Sequence, residues 1–180
     1  GQKDAYTAHR ALCNNYAPDG GCFVPFKMPQ FNSNDLMQLQ NKSFGEVISE
    51  IVNTFFAAGL TGWDIDICAG KTPIQLHAMS HRVCIAENWH NPKGEYSYIV
   101  NNISNKLRNE DATPSLWTAT VVRIATLFAL YAQMLHQRLI ERDQTFDIAV
   151  NGDDFFEPIA AWYARKLGLP IETIIVTCVD

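Results

Sequence analysis

DIAVNGDDFFEPIAAWYARKLGLP, residues 147–170, decides the fold. An apolar run from Phe146 to Val150 stops at the Asn151-Gly152 turn signal, and Pro158 to Leu167 then reads as a helix closed by Gly168. A second apolar run, Thr173 to Val179, follows Pro170. Strand, helix and strand in that order predict a βαβ unit whose two buried strands are parallel neighbours, because so long a connection crosses over rather than folding back as a hairpin. A helix opening just after a strand also aims its free amides at one point, the usual way a backbone holds a phosphate. Here that turn carries Asp153, Asp154 and Glu157, which repel a phosphate.

Outward from this unit, Thr113-Pro114-Ser115 opens the longest predicted helix, which runs to about Arg142. Trp117, Val121, Ile124, Phe128, Tyr131, Leu135 and Leu139 form one stripe, and apolar residues off the stripe mark the helix as central. Tyr96 to Leu107 reads as helix or strand, with Tyr96, Ile99, Ile103 and Leu107 favouring the helical period. Asn91-Pro92-Lys93-Gly94 breaks the chain, and Thr72-Pro73 starts a helix predicted over Ile74 to about Glu87. Asp64-Ile65-Asp66 reads as a surface loop after Gly62, and less readily as a strand pairing two carboxylates on one face. Ser43-Phe44-Gly45-Glu46 is a capping box, and the apolar stripe that follows it ends at Gly59. Ser33 or Asn34 caps a short helix through Gln40. Residues 6–32 read as an irregular lead with a turn at Pro18-Asp19-Gly20-Gly21. The fold class is therefore α/β, a mostly helical single domain over residues 1–180 with a small sheet that includes the parallel C-terminal βαβ unit.

A chain of 180 residues is long enough to bury about 70% of its unfolded surface. Its formal charge is −5 and its basic residues are scattered, which argues against nucleic acid or an acidic membrane surface as partner. A small molecule or a protein, including a second copy of the chain, is the expected partner. Five cysteines without CxxC spacing imply reduced thiols and a cytoplasmic location. The most apolar run, Thr118 to Leu135, contains Arg123 and Gln133, so no membrane span is expected. Nothing near the N-terminus reads as an export signal.

Two stretches at opposite ends resemble one family. Tyr16-Ala17-Pro18-Asp19-Gly20-Gly21-Cys22-Phe23-Val24-Pro25 is similar to the Leu-Ala-Pro-Asp-Gly-Gly-Leu-Phe-Val-Pro signature of threonine synthase, and Ser43 to Phe56 resembles the helix after it. Tyr6 to Arg10 resembles that family's opening segment, and Ile159 to Ile171 its Ile-Leu-Ala-Gly-Tyr-Tyr-Ala-Lys-Lys-Met-Gly-Leu-Pro-Ile segment. The matches cover roughly residues 6 to 56 and 119 to 180. The resemblance implies a fold-type II architecture, a pyridoxal phosphate cofactor on a lysine Schiff base, and conversion of O-phosphohomoserine to threonine.

The residues depart from that implication. None of the seven lysines, Lys3, Lys27, Lys42, Lys71, Lys93, Lys106 and Lys166, lies in the family's Phe-Lys-Asp setting, and its Gly-Asp-Thr-Gly turn does not occur. The family's Gly-Asn-Phe-Gly-Asp phosphate turn falls on Asp153, Asp154, Phe155, Phe156 and Glu157, so both glycines are replaced. Phe156 crowds a phosphate and Asp153 repels one, while Asp154 or Glu157 can cap the helix itself. The chain thus reads as a threonine synthase lacking its central cofactor-binding core. No cofactor and no catalytic residue are assigned to it, and a non-catalytic binding or interaction module is the expected function.

Two catalytic alternatives stay open: a divergent lyase of the same cofactor class, and a metal enzyme. The metal reading rests on His77, His81 and Cys84, which share one face of the predicted helix with spacing suited to Zn²⁺, with Glu87 as a further ligand and His90 beyond. The acids Asp147, Asp153, Asp154 and Glu157 suit a hard cation, but capping explains them more simply. Cys22 and Cys84 carry no local signature of a catalytic thiol.

Overall fold

A computed structural model describes residues 5–71, 74–88, 95–109 and 113–178. The expected helix start at Thr72-Pro73, break at residues 91–94, ligand at His90 and strand end at Val179 lie outside the described residues.

The described residues form α1 (Ala8–Cys13), α2 (Ser33–Leu39), α3 (Phe44–Phe56), α4 (Gly62–Ala69), β1 (Gln75–Ser80), β2 (Val83–Glu87), α5 (Tyr96–Arg108), α6 (Leu116–His136), β3 (Phe146–Asn151), α7 (Phe156–Leu167) and β4 (Ile171–Thr177). The centre is α6, capped by Ser115, whose Oγ accepts the Thr118 amide at 3.1 Å. Its length and composition would suffice to cross a membrane, yet sixteen of its 21 residues are buried inside the protein. It packs against α3 and α7, and also touches α1, α2, α5 and β1. Tyr131 and Phe128 are among the most buried large side chains, with Phe31 tilted on Phe128 at 5.0 Å and Phe146 stacked on Tyr131 at 5.9 Å. α6 ends at His136 rather than near Arg142, because Arg138 turns into the left-handed region at φ 56°.

The capping box at Ser43 and Glu46 forms as the sequence predicts, and the helix behind it buries Val47, Ile48, Ile51 and Val52. It stops at Phe56, where Ala57 is left-handed at φ 49°. Asn32, one residue earlier than expected, caps α2 together with Asp35. The 6–32 lead contains α1, started by the Thr7 hydroxyl, and the expected turn, in which the Gly20 amide donates to Ala17 O at 2.9 Å. Asp64-Ile65-Asp66, expected as a surface loop, lie in helix α4, where Thr61 and Asp64 make a reciprocal capping box. Residues 96–108 are helical, as the period favours.

The expected helix over 74–87 is absent. β1 and β2 make an antiparallel hairpin, with Leu76 opposite Ala86 and Ala78 opposite Cys84. Leu76 and Cys84 are the half-buried apolar residues of the ribbon and pack on the core, so tertiary contact on one period-2 face overrides any helical tendency. The βαβ unit does form, with β3 and β4 parallel and α7 between them. Those strands are less buried than expected: β3 alternates inward Ile148 and Val150 with exposed Asp147 and Ala149, and most of β4 is exposed. Among the described residues this sheet has two strands, and α7 packs on both of them. Gly168 closes α7 at φ 123°, where the lead returns and the Phe31 amide donates to Leu167 O at 2.8 Å.

Candidate functional site

Three places carry chemistry. The first is the turn between β3 and α7. Asp154 Oδ1 accepts the Phe156 amide at 2.9 Å, and its Oδ2 accepts from Arg123 Nη2 at 2.7 Å. Glu157 turns back so that Oε2 accepts the Asn151 amide at 3.2 Å, and the Asp153 amide donates to Asn151 Oδ1 at 3.0 Å. The Arg123 side chain is only 11% exposed and its guanidinium also sits 5.0 Å from the Phe156 ring centre. Asp153 and Phe155 are exposed. Each element supplies one part: α6 delivers the cation from the core, β3 brings the chain to the turn, and α7 opens on the carboxylates. Sequence reading missed the role of Arg123, although a lone charge in a buried apolar run is a signal that a partner lies opposite.

The second is the hairpin. His77 pairs with Ile85 and Cys84 with Ala78, so His77 and Cys84 point to opposite faces of the ribbon. His81 lies in the turn that joins the strands. The helical face that would unite these three does not form, and among the described residues no group of three or more His, Cys, Asp or Glu could hold a metal ion. His77 Nε2 instead lies 3.2 Å from Glu87 Oε2 across the ribbon. Burial pushes the Cys84 thiol up, which makes it a poor nucleophile and ligand.

The third is a cleft of about 560 Å³ between β2 and β3, floored by Leu127, Leu130 and Met134 of α6. Val83 and Phe146 lie towards one end and Asn88 and Glu157 towards the other. Among the described residues, the charged side chains lining it are Asp147 and Glu157, and no lysine lines it. Of the lysines within the described residues, Lys42 pairs with Glu50, Lys106 with Asp64 at 2.9 Å, and Lys166 lies over the Trp162 ring at 5.5 Å. The hydrogen bond from Lys106, aided by Thr61, holds the Asp64 carboxyl well below the usual carboxylate range. The five cysteines are all free.

The family described as Threonine synthase N terminus matches residues 1–71. Among solved structures, the chain is similar to the PLP-bound threonine synthase from Brucella melitensis, with a TM-score of 0.78 and 13% sequence identity. The match covers 98% of this chain and 58% of that one, so this chain spans little more than half the length of the protein it matches. No curated protein matches the sequence. At that identity the structural likeness speaks for the fold alone, an α/β arrangement matching a fragment of a threonine synthase. The first 71 residues are thus similar to the N terminus of threonine synthases, and the chain shares the fold of a threonine synthase fragment.

Proposed function

We propose that this chain is a non-catalytic binding or interaction module that keeps the outer scaffold of a threonine synthase and does not use pyridoxal phosphate. The observation that carries this reading is the state of the α7 N-terminus. A phosphate dianion brought to that turn meets Asp153 and Asp154, and Asp154 already takes both the Arg123 guanidinium and the Phe156 amide. An anion must displace that carboxylate before it gains the same donors, so the residues present do not fit the cofactor's phosphate. The lysines of the described residues support the reading too, since those with partners are tied to surface groups and none lines the cleft. Free cysteines throughout fit a cytoplasmic location.

The test is direct. Purified full-length chain is incubated with pyridoxal phosphate, its absorbance is followed for an aldimine band, and the mixture is reduced with borohydride and analysed by mass spectrometry. The expected result is no stoichiometric adduct on any one lysine. A single lysine trapped at full occupancy would overturn the proposal and favour a divergent lyase.

A further inference from the structure

We propose that the cleft between β2 and β3 is a slot for one extended peptide strand of a partner protein, inserted between the two strand edges with apolar side chains towards α6 and a basic residue beside Asp147 and Glu157. This rests on the binding-module reading and names its partner class. Both walls are strands seen edge-on. Consecutive residues Val83 to Ala86 line one side and Phe146 to Val150 the other, whereas a strand presented by its face would contribute every second residue.

The backbone of β3 agrees. The Phe146 amide donates to Pro170 O at 3.0 Å and Val150 O accepts from the Thr177 hydroxyl at 3.2 Å, so both residues turn their polar groups towards β4. Strand alternation then turns the amides and carbonyls of Asp147 and Ala149 the other way, into the cleft. Among the described residues no strand pairs with that edge. Strand spacing and sheet packing give about 160 Å³ per residue, so the cleft takes roughly three to four residues of one strand.

Charge decides the occupant. Asp147 and Glu157 each use one oxygen on a backbone amide, of Thr173 at 3.0 Å and of Asn151 at 3.2 Å, and both carboxyl groups line the slot. A second copy inserting its own β3 would set its Asp147 against these acids, which like-charge repulsion disfavours. A strand of another protein carrying lysine or arginine is complementary.

The probe is a fluorescein-labelled peptide, Lys-Val-Thr-Val-Thr-Val-Lys, titrated with full-length chain in a polarisation assay beside its glutamate-ended counterpart. The lysine-ended peptide is expected to bind at least tenfold more tightly than the other. Ala149→Pro, which removes an outward amide at an edge position where proline is tolerated, should weaken binding at least tenfold with the melting temperature nearly unchanged. Should that variant misfold, hydrogen exchange on the unaltered chain gives the same answer, with the Asp147 and Ala149 amides slowed by the peptide. Absence of binding up to millimolar chain, equal binding of both peptides, no effect of Ala149→Pro, or a self-associated dimer filling the slot would each overturn the proposal. A borohydride-trapped cofactor would instead refute the non-catalytic reading, so the two failures are told apart.

Discussion

The Arg123–Asp154 pair is the contact on which the reading of the α7 turn depends, and a double-mutant cycle measures it. Arg123→Met keeps the apolar stem in the core and removes the guanidinium; Asp154→Ala removes the carboxylate. The arginine is 11% exposed and the aspartate 34%, so the bond at 2.7 Å is screened on one side only. A charged hydrogen bond of this type is worth roughly 1.5–3 kcal/mol, and the part exposure of Asp154 puts the expected coupling near the low end, about 1.5 kcal/mol. Arg123→Met also loses the contact with the Phe156 ring, and Asp154→Ala the acceptor for the Phe156 amide, so each single variant should lose about 2.5 kcal/mol. The double variant should lose about 3.5 kcal/mol, less than additivity requires. Urea unfolding followed by circular dichroism reads all four chains. A coupling under about 0.5 kcal/mol, with every variant folded, would mean that the carboxylate does not occupy the helix terminus electrically, and the argument against a phosphate there would fall with it.

Other outcomes follow from single contacts. Gly168→Ala should lower the melting temperature by about 6–12 °C, because φ is 123° and an added Cβ would stand 2.1 Å from Phe31 O; Gly20→Ala, at φ 80° with open space around it, should lose only about 1 kcal/mol. Asp64 has a depressed pKa in the folded state, so its contribution is present above the ordinary carboxylate value of about 4 and is lost as pH falls below it; Lys106→Met should flatten the fall in melting temperature between about pH 4 and pH 2. In timed alkylation followed by mass spectrometry, exposed Cys22 and Cys178 should react about tenfold faster than Cys84, whose thiol burial pushes up.

The sequence made legible those elements whose ends carry their own chemistry. The Ser43 box, the Ser115 cap and the Gly168 stop each mark a helix end that forms where expected. α4 was legible in principle, since Thr61 and Asp64 have capping-box spacing, but Gly59 and Gly62 beside them read as loop. The hairpin was not legible. Its turn, Ser80 to Val83, has no glycine or asparagine to announce it, and its inward residues are held by α6 rather than by anything local. That single misreading created the His77, His81 and Cys84 face, because spacing of four means one face on a helix and nothing comparable across a ribbon. The acids of the turn were readable as caps, but Asp154's partner Arg123 lies 31 residues earlier in the chain, beyond any local pattern.

A two-stranded parallel sheet is a poor structure by itself, because parallel strands hold best when both faces are covered. Here the inward residues Ile148, Val150 and Ile171 rest on helices, which anchors one face, while Ile175 and Val176 stay nearly half exposed on β4. An open edge beside such a surface invites uncontrolled pairing, and proteins usually guard it with lysine, proline, a bulge or a cover. Neither β2, Val-Cys-Ile-Ala-Glu, nor β3, Phe-Asp-Ile-Ala-Val-Asn, contains a lysine or a proline, and the charges they do carry are Glu87 and Asp147. Glu87 is engaged by His77 and Asp147 by the Thr173 amide, so neither stands as a free guard. Among the described residues, two strand edges without lysine or proline facing one cleft over an apolar floor are a hazard for an idle scaffold. They are what a strand-binding site requires.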